Sequence, residues 1–216
     1  ESYYSKNVLT KVDTETDNFN IISLSPTYTQ PVTNSSFETT TPLGWTNIAK
    51  STTDAETQIC QIVDVNNYSL KDDSTTVSAP RSNNSANNNH ALFMYNKEEG
   101  YQAIESSKFT VEQLAYYKIS FFAKSNCGTG TGATVYLVDK SKDNAIDSAK
   151  LTLSTTFTKK SNIYRNDWTQ YSFYVYGDEL ADKEVALQIW LGTNSSKTKG
   201  YVFVDDFRME KVSYQT

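Results

Sequence analysis

Apolar and polar residues alternate with a period of two in eight stretches of the chain: 58–64, 91–95, 117–124, 134–139, 150–153, 169–176, 185–191 and 200–209. That period puts successive side chains on opposite faces of an extended backbone, so each stretch reads as a half-buried β-strand. In 117–124, Ile119, Phe121 and Ala123 share one face, and Lys118, Ser120, Phe122 and Lys124 the other. In 185–191, Val185, Leu187, Ile189 and Leu191 make an apolar face opposed by Ala186, Gln188 and Trp190. In 134–139, Val135 and Leu137 turn to the core, and Thr134, Tyr136 and Val138 away from it. Turn-rich stretches at 72–89, 125–132 and 192–200 separate the strands. Thr110-Val-Glu-Gln113 has capping-box spacing and predicts one short helical turn running to Tyr116. No repeat of solenoid or propeller length is visible. Many strands at irregular spacing with almost no helix predict an all-β chain, a β-sandwich of the jelly-roll kind.

Residues 1–30 are polar and weakly periodic, and end where Pro26 and Pro31 bracket a turn. They read as a leader or linker segment that contributes at most an early strand; the sandwich is expected over 31–212, with 213–216 as a tail. The chain opens on Glu1 with no signal-peptide pattern, which reads as a mature or excised piece.

Composition supports the strand reading. The 216 residues include 24 Ser, 27 Thr and 18 Asn, types that favour strands, turns and caps over helix interiors. Hydrophobic residues are only 38%, yet 15 Tyr and 10 Phe supply the large side chains that a disordered chain lacks. A net charge of −5 without a block of Lys or Arg gives no electrostatic footprint for nucleic acid or an anionic membrane. No apolar run is long enough for a transmembrane helix. One histidine and two cysteines leave little room for His/Cys zinc clusters or His-based catalysis. Cys60 and Cys127 lie far apart in sequence with no CxxC spacing, and read either as free thiols or as a disulfide. His90 opens one strand and reads as a structural hydrogen-bonding residue.

Three strands place an aromatic on the face away from the core: Phe122, Tyr136 and Trp190. An aromatic plane stacks on the apolar C–H face of a sugar ring, while neighbouring side chains such as Gln188 and Lys124 hydrogen-bond its hydroxyls. The other reading of the same pattern is ordinary packing beneath a covering segment or domain. Trp45 follows a turn and Trp168 opens a strand, so both read as core or rim packing.

Asn34, Phe37 and Glu38 followed by Gly44 and Trp45 resemble the opening N-x-x-F-E … G-W of carbohydrate-binding modules with the galactose-binding-like jelly roll, the group that accompanies xylanases and cellulases. Tyr117 to Lys124 is similar to their central Y-x-x-S-F-x-A-K strand, Trp168 to Phe173 to their W-x-x-Y-x-F strand, and Tyr201 to Phe207 to their Y-x-x-V-D-D-V ending. The four motifs stand in the family order over roughly residues 32–212. The stretch 110–116 stands where the family has a Pro-Gly turn, and the 82–89 loop is unusually rich in Asn. The resemblance implies a structural Ca2+ ion bound by Glu38 and Asp205, tying the first strand to the last. Two carboxylates with loop carbonyls can supply the six to eight oxygens that calcium takes. Asp139, Asp143 and Asp147 read instead as a charged loop.

A glycosidase needs two carboxylates facing each other across a cleft. Acidic pairs such as Glu98-Glu99 and Asp72-Asp73 read as solvated surface, and Asp64, Asp139 and Glu184 have no signature around them. The expected function is therefore non-catalytic: a carbohydrate-binding module of a larger exported bacterial protein, secreted or attached to the cell surface. It would bind a polysaccharide or glycan on Phe122, Tyr136 and Trp190 with Gln188 and Lys124, alongside other domains of its parent and without nucleic-acid binding or membrane insertion. The alternative is a spacer or adhesin module with the same fold and no glycan site.

Overall fold

The computed structural model describes residues 20–22, 28–65, 68–72, 75–78, 90–112, 115–140, 158–177 and 184–215. The strands are β1 (Asn20–Ile22), β2 (Tyr28–Thr29), β3 (Thr46–Lys50), β4 (Gln58–Asp64), β5 (Ser69–Asp72), β6 (Thr75–Ser78), β7 (His90–Gly100), β8 (Gln102–Glu105), β9 (Phe109–Thr110), β10 (Tyr116–Cys127), β11 (Ala133–Asp139), β12 (Thr158–Ile163), β13 (Thr169–Tyr176), β14 (Glu184–Leu191) and β15 (Thr198–Gln215). They form two antiparallel sheets and a hairpin. The first sheet runs β13-β10-β15-β7-β4, with β1 and β2 also paired to β15. The second runs β12-β11-β14-β8-β3, with β9 beside β14, and β5-β6 is the hairpin. Packed face to face, the two sheets make the expected jelly-roll β-sandwich.

The alternation seen in the sequence builds the inter-sheet core. Ile119, Phe121 and Ala123 of β10 meet Val135 and Leu137 of β11 and the Val185, Leu187, Ile189 and Leu191 face of β14, all of them buried. Along β15 the inward positions are Val202 and Val204, then Phe207 and Met209, a change of phase of one residue. A bulge produces it: the β10 register shifts between Ser120 and Phe122, and Asp206 sits at φ 57°, in the left-handed region. At the end of β14, Gly192 at φ 76° donates its N–H to the carbonyl of Gly132, and a Cβ there would overlap the carbonyl of Gly100.

The outer face of the first sheet carries a second buried cluster of Val63, Val65, Phe93, Tyr95, Tyr201 and Phe203, partly roofed by Tyr68 and Leu70. The leader expected over 1–30 contributes β1 and β2, both on β15, and β15 itself continues past residue 212 to Gln215. Thr110 lies in the short strand β9 opposite Glu184, so the chain enters the expected helical turn extended; Gln113 falls outside the described residues. Outside them too lie the strand expected at 150–153, the Asn-rich loop at 82–89, Asp143 and Asp147.

Cys60 and Cys127 are free thiols. Burial pushes Cys60 up to about 12, against a small opposing pull from Lys50, and Cys127 up to about 11. At pH 8 a thiol at pKa 12 is thiolate only to about 1 part in 10,000, against roughly a quarter for a free cysteine. Both thiols are half-buried, so Ellman's reagent is expected to react with them at once in guanidinium and much more slowly in the native protein; native labelling as fast as in guanidinium would refute the raised pKa values. The folded pKa values are raised, so the stabilisation from burying neutral thiols is complete below their unfolded pKa. It is lost as pH rises through about 11 to 12.

Candidate functional site

The five residues expected to form one binding platform lie on two sheets that face in opposite directions. Phe122 and Lys124 stand on β10, on the outer face of the first sheet, whereas Tyr136 on β11 and Gln188 and Trp190 on β14 stand on the outer face of the second. The pleat tells which side of its own strand a residue occupies, but not which way that sheet faces.

On the second sheet the aromatic expected to be exposed is closed in. Trp190 is only 6% exposed, and its indole Nε1 donates to Gln188 Oε1 at 2.9 Å. Gln188 Nε2 donates to Glu105 Oε2 at 2.7 Å, and Glu105 Oε2 takes the Lys140 ammonium at 3.2 Å. The four side chains form one buried chain of polar contacts across β14, β8 and the end of β11. Tyr136, opposite Gln188, is half-buried, and desolvation raises its phenol pKa against the pull of a hydrogen bond to Thr134. Around Trp190 this face is built as a polar network that closes the indole in, while Tyr136 keeps part of its ring in solvent.

The first sheet offers more. Phe203 is fully buried and is the hub of an aromatic layer. Phe93 lies 4.7 Å from it, Tyr201 5.5 Å edge-on and Trp168 6.1 Å, measured between ring centroids. The Lys124 ammonium stands over the same ring at 5.3 Å. Tyr201 donates its hydroxyl to Asn166 Oδ1 at 3.0 Å, which fixes an exposed amide beside the layer. Trp168, Phe122 and Lys124 are half-buried, each with part of its side chain in solvent, while Gln61, Asn126 and Gln170 are exposed around them. Burial lowers the Lys124 pKa, so it sheds its proton sooner than a surface lysine as pH rises. Rings below, a partly desolvated cation and amides at the edge make a surface suited to a ligand with an apolar face and many hydroxyls.

Sequence reasoning named Tyr95 as a possible secondary platform but missed Phe93, Tyr201 and Phe203, which form an outward-facing set with it. Their signal was available as aromatics two apart in Phe93-Met-Tyr95 and Tyr201-Val-Phe203. Apolar neighbours on the core side hid it, because the strand then reads as one continuous run.

The residues expected to bind calcium lie in segments that the fold brings together. Phe207 N–H donates to the carbonyl of Ser35 at 2.9 Å, and the Phe37 and Phe207 rings are 6.3 Å apart. Asp205 is fully buried. Both oxygens of Glu38 engage His90, one taking its backbone N–H at 3.1 Å and the other its Nδ1 at 3.0 Å. Among the described residues no group of three or more His, Cys, Asp or Glu side chains is placed to hold a metal ion.

The sequence matches no established protein-family profile and no curated protein. Solved structures do match. The enzymatically active domain of tailspike protein 4 from bacteriophage CBA120 is similar over 84% of this chain, at 13% identity and a TM-score of 0.55. The chain has a jelly-roll β-sandwich fold. TmCBM61, solved with β-1,4-galactotriose, is matched over 84% of this chain and 97% of its own, at 11% identity and a TM-score of 0.48. A CBM4 structure is matched over 85% and 99%, at 17% identity and 0.43. Identities this low speak to the jelly roll alone, and the chain spans only 21% of the tailspike chain.

Proposed function

We propose that this protein is a non-catalytic glycan-binding module of a larger secreted or cell-surface protein. It holds a polysaccharide on the outer face of the first sheet, against Trp168, Phe122 and Lys124. The observation that carries the reading is the half-exposed layer of Trp168 and Lys124 over the buried Phe203, with hydrogen-bonding amides around it. Stacked rings supply affinity, and Lys124, Asn166 and Gln170 select among hydroxyl patterns. The benefit to the parent protein is proximity, because a tethered module raises the effective concentration of its partner domains at a polymeric substrate.

Affinity electrophoresis against soluble plant, microbial and host glycans tests this. At least one polymer is expected to retard the protein, and Trp168→Ala to weaken that retardation by about 30-fold or more, as for a central aromatic contact. Phe122→Ala should weaken it less. Trp190→Phe, altered inside the opposite sheet, should leave it in place. Retardation indifferent to Trp168 and Phe122 would sink the site assignment.

A structural calcium at Glu38 and Asp205 is the second part of the reading, supported by the bonded approach of the opening and closing segments. The fit is partial: loop carbonyls must supply most of the oxygens, and the ion must draw Glu38 away from His90. Calcium at 100 times its dissociation constant adds about 2.7 kcal/mol, a rise of roughly 5–10 °C in melting temperature for a domain of this size. EDTA should reverse that rise, and Asp205→Asn should remove the response. An unchanged melting temperature would end the calcium proposal.

A further inference from the structure

Where the sandwich edges approach each other, between β3 of the second sheet and β4 of the first, a pocket of about 410 Å3 opens. Its size falls within the roughly 300–1,000 Å3 typical of small-ligand sites. Trp45, Leu43 and Ile104 form apolar walls, while Asn47, Gln61 and Thr53 add amides and a hydroxyl.

Two further wall residues carry an unmet demand. Gln102 is 1% exposed, and its Nε2 donates to Ile59 O at 3.0 Å, Tyr95 O at 3.1 Å and Asn96 Oδ1 at 3.0 Å. All three partners are acceptors, so the amide nitrogen must face them and Oε1 is turned the other way. Gln58 repeats the arrangement, with Nε2 donating to Asn96 Oδ1 at 2.9 Å and Tyr101 O at 3.0 Å. The shared Asn96 is itself held by Leu191 O and Thr198 O. The amide orientations are thus fixed by their surroundings, and Gln58 Oε1 and Gln102 Oε1 remain buried without a hydrogen-bond partner. Buried acceptors of this kind are uncommon, and they call for a donor.

The charge in the wall is one-sided. Among the described residues Lys50 is its one charged lining residue, exposed and close enough for its charge to act on the Cys60 thiol. Asp54 and Glu56 lie in the adjoining loop outside the lining, and Asp54 Oδ1 is occupied by the Glu56 N–H at 2.9 Å.

We propose that this seam pocket is a second saccharide site, taking one hydroxyl-rich ring that carries a carboxylate. Ring hydroxyls donate to Gln58 and Gln102, the apolar ring face rests on Trp45, and the carboxylate meets Lys50. The proposal takes its ligand class from the glycan-binding reading; Gln61 at the sheet edge borders both places, but the other pocket residues are separate from the first-sheet face.

Saturation-transfer NMR on the full chain, with D-glucuronate and D-glucose as probes, tests it. Glucuronate should bind about tenfold more tightly than glucose, the size of one charge-assisted contact. Lys50→Met should remove that preference, and Thr53→Trp, a surface change that fills the mouth, should abolish both signals. Glucuronate transfer that survives Thr53→Trp, or no transfer to either sugar, overturns the pocket. The two readings fail separately. Polysaccharide retardation that depends on Trp168 without any uronate signal removes the pocket and keeps the first-sheet site. A uronate signal blocked by Thr53→Trp, with no retardation by any polymer, does the reverse.

Discussion

Replacing Phe207 with alanine is expected to lower the free energy of unfolding by about 3–5 kcal/mol, the usual range for emptying a core aromatic site. Phe207 is fully buried, and its ring lies 5.1 Å from Phe121, 5.5 Å from Trp45 and 6.3 Å from Phe37. Those neighbours come from β10 and from both halves of the opening segment, and Trp45 is anchored by its Nε1 donating to Thr33 O at 3.1 Å. A small residue cannot be compensated by collapse, because the three rings are held by separate parts of the backbone. Denaturant titration should show a lower midpoint at an unchanged slope. A loss under about 1 kcal/mol would mean that the site closes over the void and that the ring cluster does not hold the opening and closing segments together.

The second large effect concerns the polar chain on the other sheet. Lys140→Met should cost about 3–5 kcal/mol, since it strands the Glu105 carboxylate in a site where the two side chains are only 6% and 13% exposed. Adding Glu105→Gln should restore most of that loss. A neutral amide removes the uncompensated charge and still accepts from Gln188 Nε2, so the Gln188 link to Trp190 survives. The double-mutant cycle is the measurement, and strictly additive losses would show that Lys140 and Glu105 do not act as a pair.

Much of the fold was legible because the core strands alternate cleanly. The 58–64 and 169–176 segments match β4 and β13 residue for residue, and 134–139 and 185–191 each miss only one residue at the start of β11 and β14. β12 was invisible, its sequence Thr-Lys-Lys-Ser-Asn-Ile offering no apolar face. β8, with Gln102, Ala103 and Ile104 all buried, gives no alternation to read. The candidate site proposed here was legible only in part. Phe122 and Lys124 were singled out by facing away from the core, but the same rule admitted Trp190, whose sheet is closed over by its own hydrogen bonds. Which sheet a strand joins, and what roofs it, is decided by pairings across long sequence separations that no local pattern encodes. The Gln58–Asn96–Gln102 cluster is of that kind, drawing on three strands to fix two amide orientations.

The long β15 also has a bearing on how the protein carries load. Its final residues pair with β1 antiparallel, Asn20 opposite Gln215 and Ile22 opposite Ser213. Tension applied at Asn20 and Gln215 acts across this ladder rather than along it, so its hydrogen bonds break one after another from that end. Pulled in this way, the strand pair opens like a zip at low force, and the buried sandwich behind it is reached only once that first ladder has parted.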